Sequence, residues 1–257
     1  MIKGLRLLKI KDRHNISEAA FNEILEVMEI PRITLYKLRK FLGKQVPIEP
    51  NLIDCCVNSC IAFTGENTNK DRCPICDEER YKDGKKLSEG RKKAAYWSVT
   101  NSLRMQYNDK KRAQLLRYRN EYINTNDYSA ENKIGDVFDG LCYKNLARTG
   151  FFTNRHDVAL LGSTDSFQLF RQKRDDCWVV LLINANLAPE IRVKRENLII
   201  AAMFPGPKAP KDFNSFLRPL VNELKQLQGK NFFLPDNSRF LAELTVHTNS
   251  NFFLTFF

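Results

Sequence analysis

Cysteine is the residue type whose spacing carries the most chemistry in this chain. Five of the seven cysteines, Cys55, Cys56, Cys60, Cys73 and Cys76, fall within 22 residues. Cys56 and Cys60 are separated by three residues and Cys73 and Cys76 by two, with twelve between the pairs. Two thiolate pairs on tight turns can close a tetrahedron around zinc, and Pro74 stiffens the second turn. Thiolates suit a borderline-soft ion, and four of them leave no open position, so the metal's role would be structural. Either Cys55 or Cys56 can supply the first ligand. The competing reading is a cluster of buried thiols. Cys142 and Cys177 stand alone and read as core or half-buried thiols, since no histidine lies near them in sequence.

Carboxylates give a second candidate. Asp165 sits in Ser163-Thr-Asp-Ser166, inside an otherwise apolar stretch from Val158 to Phe170. Acidic residues are depleted in strand interiors, so this one is either part of a turn or kept for a metal. Asp136 and Asp139 are suited to helix capping. His156 and His247 are single histidines and carry no assignment.

The third signal is charge. Of a net +11, the window from Arg80 to Arg119 supplies +10, with 13 Lys and Arg against 3 Asp and Glu. Such a stripe is the footprint of a polyanion binder, with a solvated helix face as the alternative. The candidate nucleic-acid contacts are Lys85, Lys86, Arg91, Lys92, Lys93, Arg104, Lys110, Lys111 and Arg112. Composition is that of a folding chain, at 43% hydrophobic. No apolar run reaches the ~18 residues of a membrane helix. The alternation of apolar and basic residues from Leu5 to Lys9 is not a signal peptide. A soluble intracellular protein with no membrane partner is expected.

These residues need elements to hold them. Residues 17–30 read as a helix capped by Ser17, with Phe21, Ile24, Leu25 and Met28 on one face. Thr34 to Leu42 reads as a second, stopped by Gly43. Tyr96–Tyr107 and a segment capped by Asp109 and running through Tyr122 read as helices in the basic stretch. A polar linker, 123–134, follows. Val158–Phe170 then reads as a strand interrupted at Ser163–Ser166, and Trp178–Asn184 as a strand buried on both faces. Leu198–Phe204 reads as a third. The short charged connection makes the first two antiparallel. Asp212 caps a helix bearing Phe213, Phe216, Leu217, Leu220, Val221, Leu224 and Leu227, with Pro219 inside it. Phe240–Val246 reads as a further strand, which the helical connection allows to return parallel.

Several of these stretches together resemble fungal CACTA (En/Spm)-type transposases. They are Cys56-Val-Asn-Ser-Cys60 through Gly65, Cys73-Pro-Ile-Cys76 with Glu79-Arg-Tyr81, Arg112–Arg119, Asp136-Val-Phe-Asp139-Gly140, Ser163–Phe170, and Asp176-Cys-Trp178 through Pro189–Arg192 to Pro205–Asp212. The resemblance spans about residues 52–230. It implies a cut-and-paste transposase with an RNase H-like core, in which three carboxylates hold two divalent ions. One ion activates the attacking oxygen and the other stabilises the leaving oxygen. Asp165 matches the first of those acids. Asp136 and Asp139 match a family motif of unassigned role.

One departure bears on activity. The family places a second acid after the fourth strand, and here no Asp or Glu follows Glu243. The third acid is also missing, and the Phe-rich end resembles a truncation. The expected organisation is α+β or α/β. A helical region (1–52) precedes a four-cysteine zinc module (53–82), a basic helical segment with linker (83–134) and a partial RNase H-like domain (135–257). The expected function is that of a transposase-derived, catalytically incomplete protein that binds DNA and structural zinc, with Mg2+ or Mn2+ only where a complete site assembles. A non-catalytic zinc-dependent DNA-binding or regulatory module is the alternative, and a zinc-organised protein-interaction domain a third. The expected location is the nucleus, or cytoplasm and nucleus, with oligomerisation open.

Overall fold

Ser17 accepts a hydrogen bond from the Ala20 amide (3.1 Å) and starts a helix, as its place before an amphipathic run predicts. The computed structural model describes residues 2–29, 33–45, 49–82, 89–125, 128, 134–168, 176–206, 208–228, 244–246 and 253–256. They fall into two units, Met1–Glu49 and Pro50–Phe257.

The first unit holds three helices, α1 (Ile2–Arg13), α2 (Glu18–Val27) and α3 (Leu35–Gln45). Leu8, Phe21, Leu25, Leu35 and Leu38 form its core. Two details differ from what the sequence predicts. The alternating basic and apolar N-terminus is itself a helix. Its Gly4 lies against Leu38, where an added Cβ would stand 3.0 Å from Cδ2. And α3 runs through Gly43, whose open surroundings impose no break.

The second unit is built on a sheet in which all pairs are antiparallel. Its strands are β1 (Asn51–Asp54), β2 (Lys93–Tyr96), β3 (Leu160–Gln168), β4 (Asp176–Asn184), β5 (Leu198–Pro205), β6 (Leu244–Val246) and β7 (Phe253–Phe256), in the order β1-β2-β5-β4-β3-β7-β6. The antiparallel β3–β4 pair is as expected. Three expectations are corrected. β3 is continuous through Ser163–Ser166, because Val179 and its neighbours on β4 pair with every residue of that stretch. Val180 and Leu182 are buried on β4 while Val179, Leu181 and Ile183 are half-buried, so one sheet face is covered more than the other. Past the last helix, β6 pairs antiparallel with β7 and β7 antiparallel with β3, so the expected parallel return is not made. The start of the expected Phe240–Val246 strand and His247 lie outside the described residues.

The covered face carries α4 (Val99–Asn108), α5 (Lys110–Leu115) and the long α9 (Phe213–Gln228). Leu103, Val180, Leu182, Ala201, Phe204, Phe216 and Leu220 pack there. A strand, β2, occupies the start of what reads as a helix from Tyr96, and α4 begins only after Ser98, which accepts from the Asn101 amide. Asp109 caps α5 as predicted, but that helix ends at Leu115 and α6 (Tyr118–Ile123) restarts after a turn. Glu223 of α9 accepts from Tyr96 Oη, Ser98 Oγ and the Val99 and Thr100 amides. A carboxylate from a distant helix thus finishes capping α4.

A smaller cluster gathers α6, α7 (Leu141–Arg148) and the turn after it around Phe138, Tyr143 and Phe152. Arg119 is fully buried there. It donates to Asn154 O (2.6 Å), Asp157 O (3.1 Å) and Tyr143 Oη (3.0 Å), and lies over the Phe152 ring. Asp136 and Asp139 form a reciprocal capping box on a short 3-10 turn. Asp136 also pairs with Arg192 of α8 (Pro189–Arg192) at 2.7 Å, and Tyr122 donates to Asp139 at 2.6 Å. Their position is that of structural caps.

Candidate metal centre and nucleic-acid interface

Two tight turns build the cysteine cluster. In the first, the Ser59 amide returns to Cys56 O (2.8 Å) and the Cys56 amide bonds Ile61 O. In the second, the Asp77 amide returns to Cys73 O and the Cys73 amide bonds Glu78 O, both at 2.9 Å. Ser59 and Asp77 each take φ 57°, the left-handed conformation that lets these loops fold back on themselves. The two turns bring the sulfurs of Cys56, Cys60, Cys73 and Cys76 within 4.8 Å of one another, and Cys56 Sγ stands 3.4 Å from Cys76 Sγ.

That spread fits one ion. Tetrahedral zinc–thiolate geometry, with bonds near 2.3 Å, puts sulfurs about 3.8 Å apart. None of the seven cysteines is joined in a disulfide in this structure. Cys55 is outside the cluster. It faces the core of the sheet, and burial pushes its thiol up to about 12. Burial and the neighbouring sulfurs likewise push Cys60 up to about 12. Cys76 goes the other way, to about 6. Desolvation opposes ionisation there, but the Glu78 amide, the Asn58 side chain and the adjacent thiols outweigh it. Asn58 is a member of this site that spacing alone does not reveal. Its amide donates to Cys56 Sγ (3.4 Å) and its Nδ2 to Cys76 Sγ (3.6 Å). The signal for it is its place inside the first cysteine turn.

The cluster is bolted to the sheet unit. The Asp212 amide donates to Cys60 O (2.9 Å), the Lys211 amide to Ser59 O (3.3 Å) and Ser59 Oγ to Pro205 O (3.1 Å). The Ala62 amide donates to Ser215 Oγ (2.9 Å), and Thr64 Oγ1 to Ser215 O. The proline-rich loop and the start of α9 are therefore fastened to the cysteine turns.

The described members of the predicted basic set stand in different surroundings. Lys92 Nζ is turned inward onto Val57 O (3.1 Å), Ser59 Oγ (2.8 Å) and Gly206 O (2.7 Å), and burial lowers its affinity for a proton. Arg91 pairs with Glu78 (2.7 Å), and Lys93 lies 3.6 Å from Glu89. Lys85 and Lys86 lie outside the described residues. Arg104, Lys110 and Lys111 are exposed on α4 and α5, and Arg112 is half-buried beside them.

Asp165 is exposed at the middle of β3, opposite Val179, and its Oδ1 accepts from the Ser166 amide (2.7 Å). Among the described residues the cysteine set is the one group of three or more potential ligands, so no carboxylate triad includes Asp165. Of the two cysteines outside the cluster-bearing segment, Cys177 is buried as expected, while Cys142 is exposed at the first turn of α7.

A model of the transposase family tnp2 matches residues 131–240, a span that takes in Asp165, β3, β4, β5 and α9. The match supports a transposase family. No curated protein and no solved structure matches the chain. No helix among the described residues is long and apolar enough to cross a membrane.

Proposed function

We propose that this chain is a transposase-derived DNA-binding protein of a CACTA-type cut-and-paste element, organised around a structural zinc ion. The observation that carries this reading is the tnp2 family match over residues 131–240. The convergence of four sulfurs supports zinc as the cofactor, with Cys56, Cys60, Cys73 and Cys76 as ligands. The ion would hold two turns that the short cysteine segment is too small to fix by burial alone.

DNA contact belongs on this reading to Arg104, Lys110 and Lys111, which are exposed on α4 and α5, and to the half-buried Arg112 beside them. Asp165 would be the first carboxylate of an RNase H-like core. One carboxylate cannot fix the two ions such a core uses, so on this reading the chain binds DNA without cutting it. The site of action would be the nucleus.

Metal analysis and DNA binding test this together. Native mass spectrometry should find one zinc per chain, lost in Cys73→Ser. Affinity for duplex DNA should fall steeply as salt rises, as neutralising several phosphates requires. Supercoiled plasmid with Mg2+ or Mn2+ should stay intact. Nicking that disappears in Asp165→Ala would overturn the non-cutting part of the proposal, and a flat salt response would overturn DNA binding.

A further inference from the structure

The first unit carries a surface on helices that sequence periodicity reads as ordinary core elements. In α3, Leu35 and Leu38 are buried at 1% and 0% exposure, and Leu42 is half-buried. The opposite arc holds Tyr36, Lys37, Arg39, Lys40, Gly43 and Lys44, all exposed. At 100° per residue these six fall within less than half a turn. The helix has four cations and no carboxylate. Its neighbour α2 is the reverse, with Glu18, Glu23 and Glu26 and no Lys or Arg. A face kept only for solubility mixes both signs; here charge is segregated by helix. Arg39 reaches Glu18 at 3.9 Å, but both side chains are well exposed, and such a pair is weak in water.

Two further observations point to a partner. Tyr36 is 68% exposed, and Lys40 Nζ lies 5.7 Å from its ring centre, so an aromatic and a cation share one contact point. Gly43 sits inside the helix with no atom within 4 Å of where a Cβ would be. A glycine there weakens the helix and serves no packing purpose. It does leave bare backbone between Lys40 and Lys44, where another molecule's backbone can come close.

From this we infer that α3 is a second DNA-binding element, separate from α4 and α5, which lays its basic face in the major groove of double-stranded DNA. In the first unit α1 is basic as well, with five Lys and Arg against one Asp, but it is the last helix of a three-helix unit that has the position of a groove reader. At 11 residues α3 is about 16 Å long, and the major groove is about 12 Å wide. Lys37, Lys40 and Lys44 would meet phosphates at the groove walls, and Tyr36 would lie toward the bases.

The test uses the full chain, as wild type, as Lys37→Ala/Lys40→Ala/Lys44→Ala, and as Lys110→Ala/Lys111→Ala/Arg112→Ala. Alanine on an exposed helix face favours helix, so the first variant should fold, with circular dichroism and zinc content as the check. Binding to a labelled duplex of about 30 base pairs, and to one of its strands alone, is followed across a salt series. The α3 variant should bind the duplex at least ~10-fold more weakly, and its log–log salt slope should fall by about 2–3. Wild-type duplex affinity in the α3 variant overturns the inference, whatever the α5 variant does. An equal loss for the single strand and the duplex also overturns it, since a groove reader needs the duplex. Loss in the α3 variant but not in the α5 variant leaves this inference standing and removes the assignment of DNA contact to α4 and α5.

Discussion

The cysteine set and the basic run are neighbours in the chain, and each is a dense signal of one residue type. They fold to opposite effect. Four cysteines spread over 21 residues end with their sulfurs inside 4.8 Å. The basic run disperses: Lys92 turns into the protein, Arg91 and Lys93 meet local carboxylates, and the part on α4 and α5 stays at the surface. Metal ligation has a geometry, so spacing in the chain translates into position in space. Charge has none. A lysine is satisfied by any carbonyl, carboxylate or water, and the fold decides which.

Metal removal should expose that contrast most strongly. The cysteine turns hold Pro205, Lys211, Asp212 and Ser215 by hydrogen bonds, so losing the metal should be felt well beyond residues 55–76. Chelation, or Cys73→Ser, should destabilise the Pro50–Phe257 unit by about 5 kcal/mol, lowering its Tm by on the order of 10–20 °C. Amide exchange reads the extent. Protection lost in α9 as well as in the turns is expected. Were the sheet and α9 to keep theirs, the module would be an appendage and the coupling argument would fail.

A smaller effect should come from the residue that fixes the basic helices in place. Glu223 receives four hydrogen bonds from Tyr96, Ser98, Val99 and Thr100. Its burial alone would raise its pKa, but the Ser98, Tyr96 and Thr100 donors outweigh burial and hold it below the ordinary glutamate value. A depressed carboxylate stabilises the fold above its unfolded pKa of about 4.3, and that contribution disappears as pH falls through the lowered folded value. Glu223→Gln should therefore cost about 2–4 kcal/mol at neutral pH. The gap from wild type should close as the solution is acidified below about pH 4. A constant gap across that range would mean that shape, not charge, does the capping.

How far the sequence reveals this architecture follows the same division. Caps are legible at Ser17 and Asp109, which act on amides three residues away; Ser98 does the same for α4 but is passed over when the helix is read from Tyr96. Asp212 acts the same way on Ser215. The α9 stripe and the β3–β4 pair are legible from periodicity and a short connection. β2 is not. Lys93-Ala-Ala-Tyr96 has little strand character of its own and is extended because β5 and β1 pair with it on either side. Ser163–Ser166 reads as a turn until β4 supplies a partner for each residue. In the cysteine site Cys60, Cys73 and Cys76 are legible and the fold decides for Cys56 over Cys55, whereas the roles of Asn58, Lys92 and Ser215 are not legible. Those three work through contacts that only the folded chain creates.

The smallest effect on stability separates the two kinds of lysine. Lys92 and Lys110 are alike in composition and belong to one basic run, but Lys92 serves three internal acceptors and Lys110 is exposed. Lys92→Met should cost roughly 2 kcal/mol, because Val57 O, Ser59 Oγ and Gly206 O lose a charged donor. Its DNA salt slope should match wild type. The Lys110→Ala/Lys111→Ala/Arg112→Ala variant should do the reverse. Stability should move by no more than about 1 kcal/mol, since Lys110 and Lys111 are exposed and only Arg112 is half-buried. Affinity for duplex should fall evenly across sequences, with a slope lower by about 1 for each phosphate no longer neutralised. The two measurements, denaturant midpoint and salt slope, give each variant a position on two independent axes. A Lys92 variant that lost slope without losing stability would return that residue to the DNA surface. It would also show that a run of charge can, after all, be read from the chain as one interface.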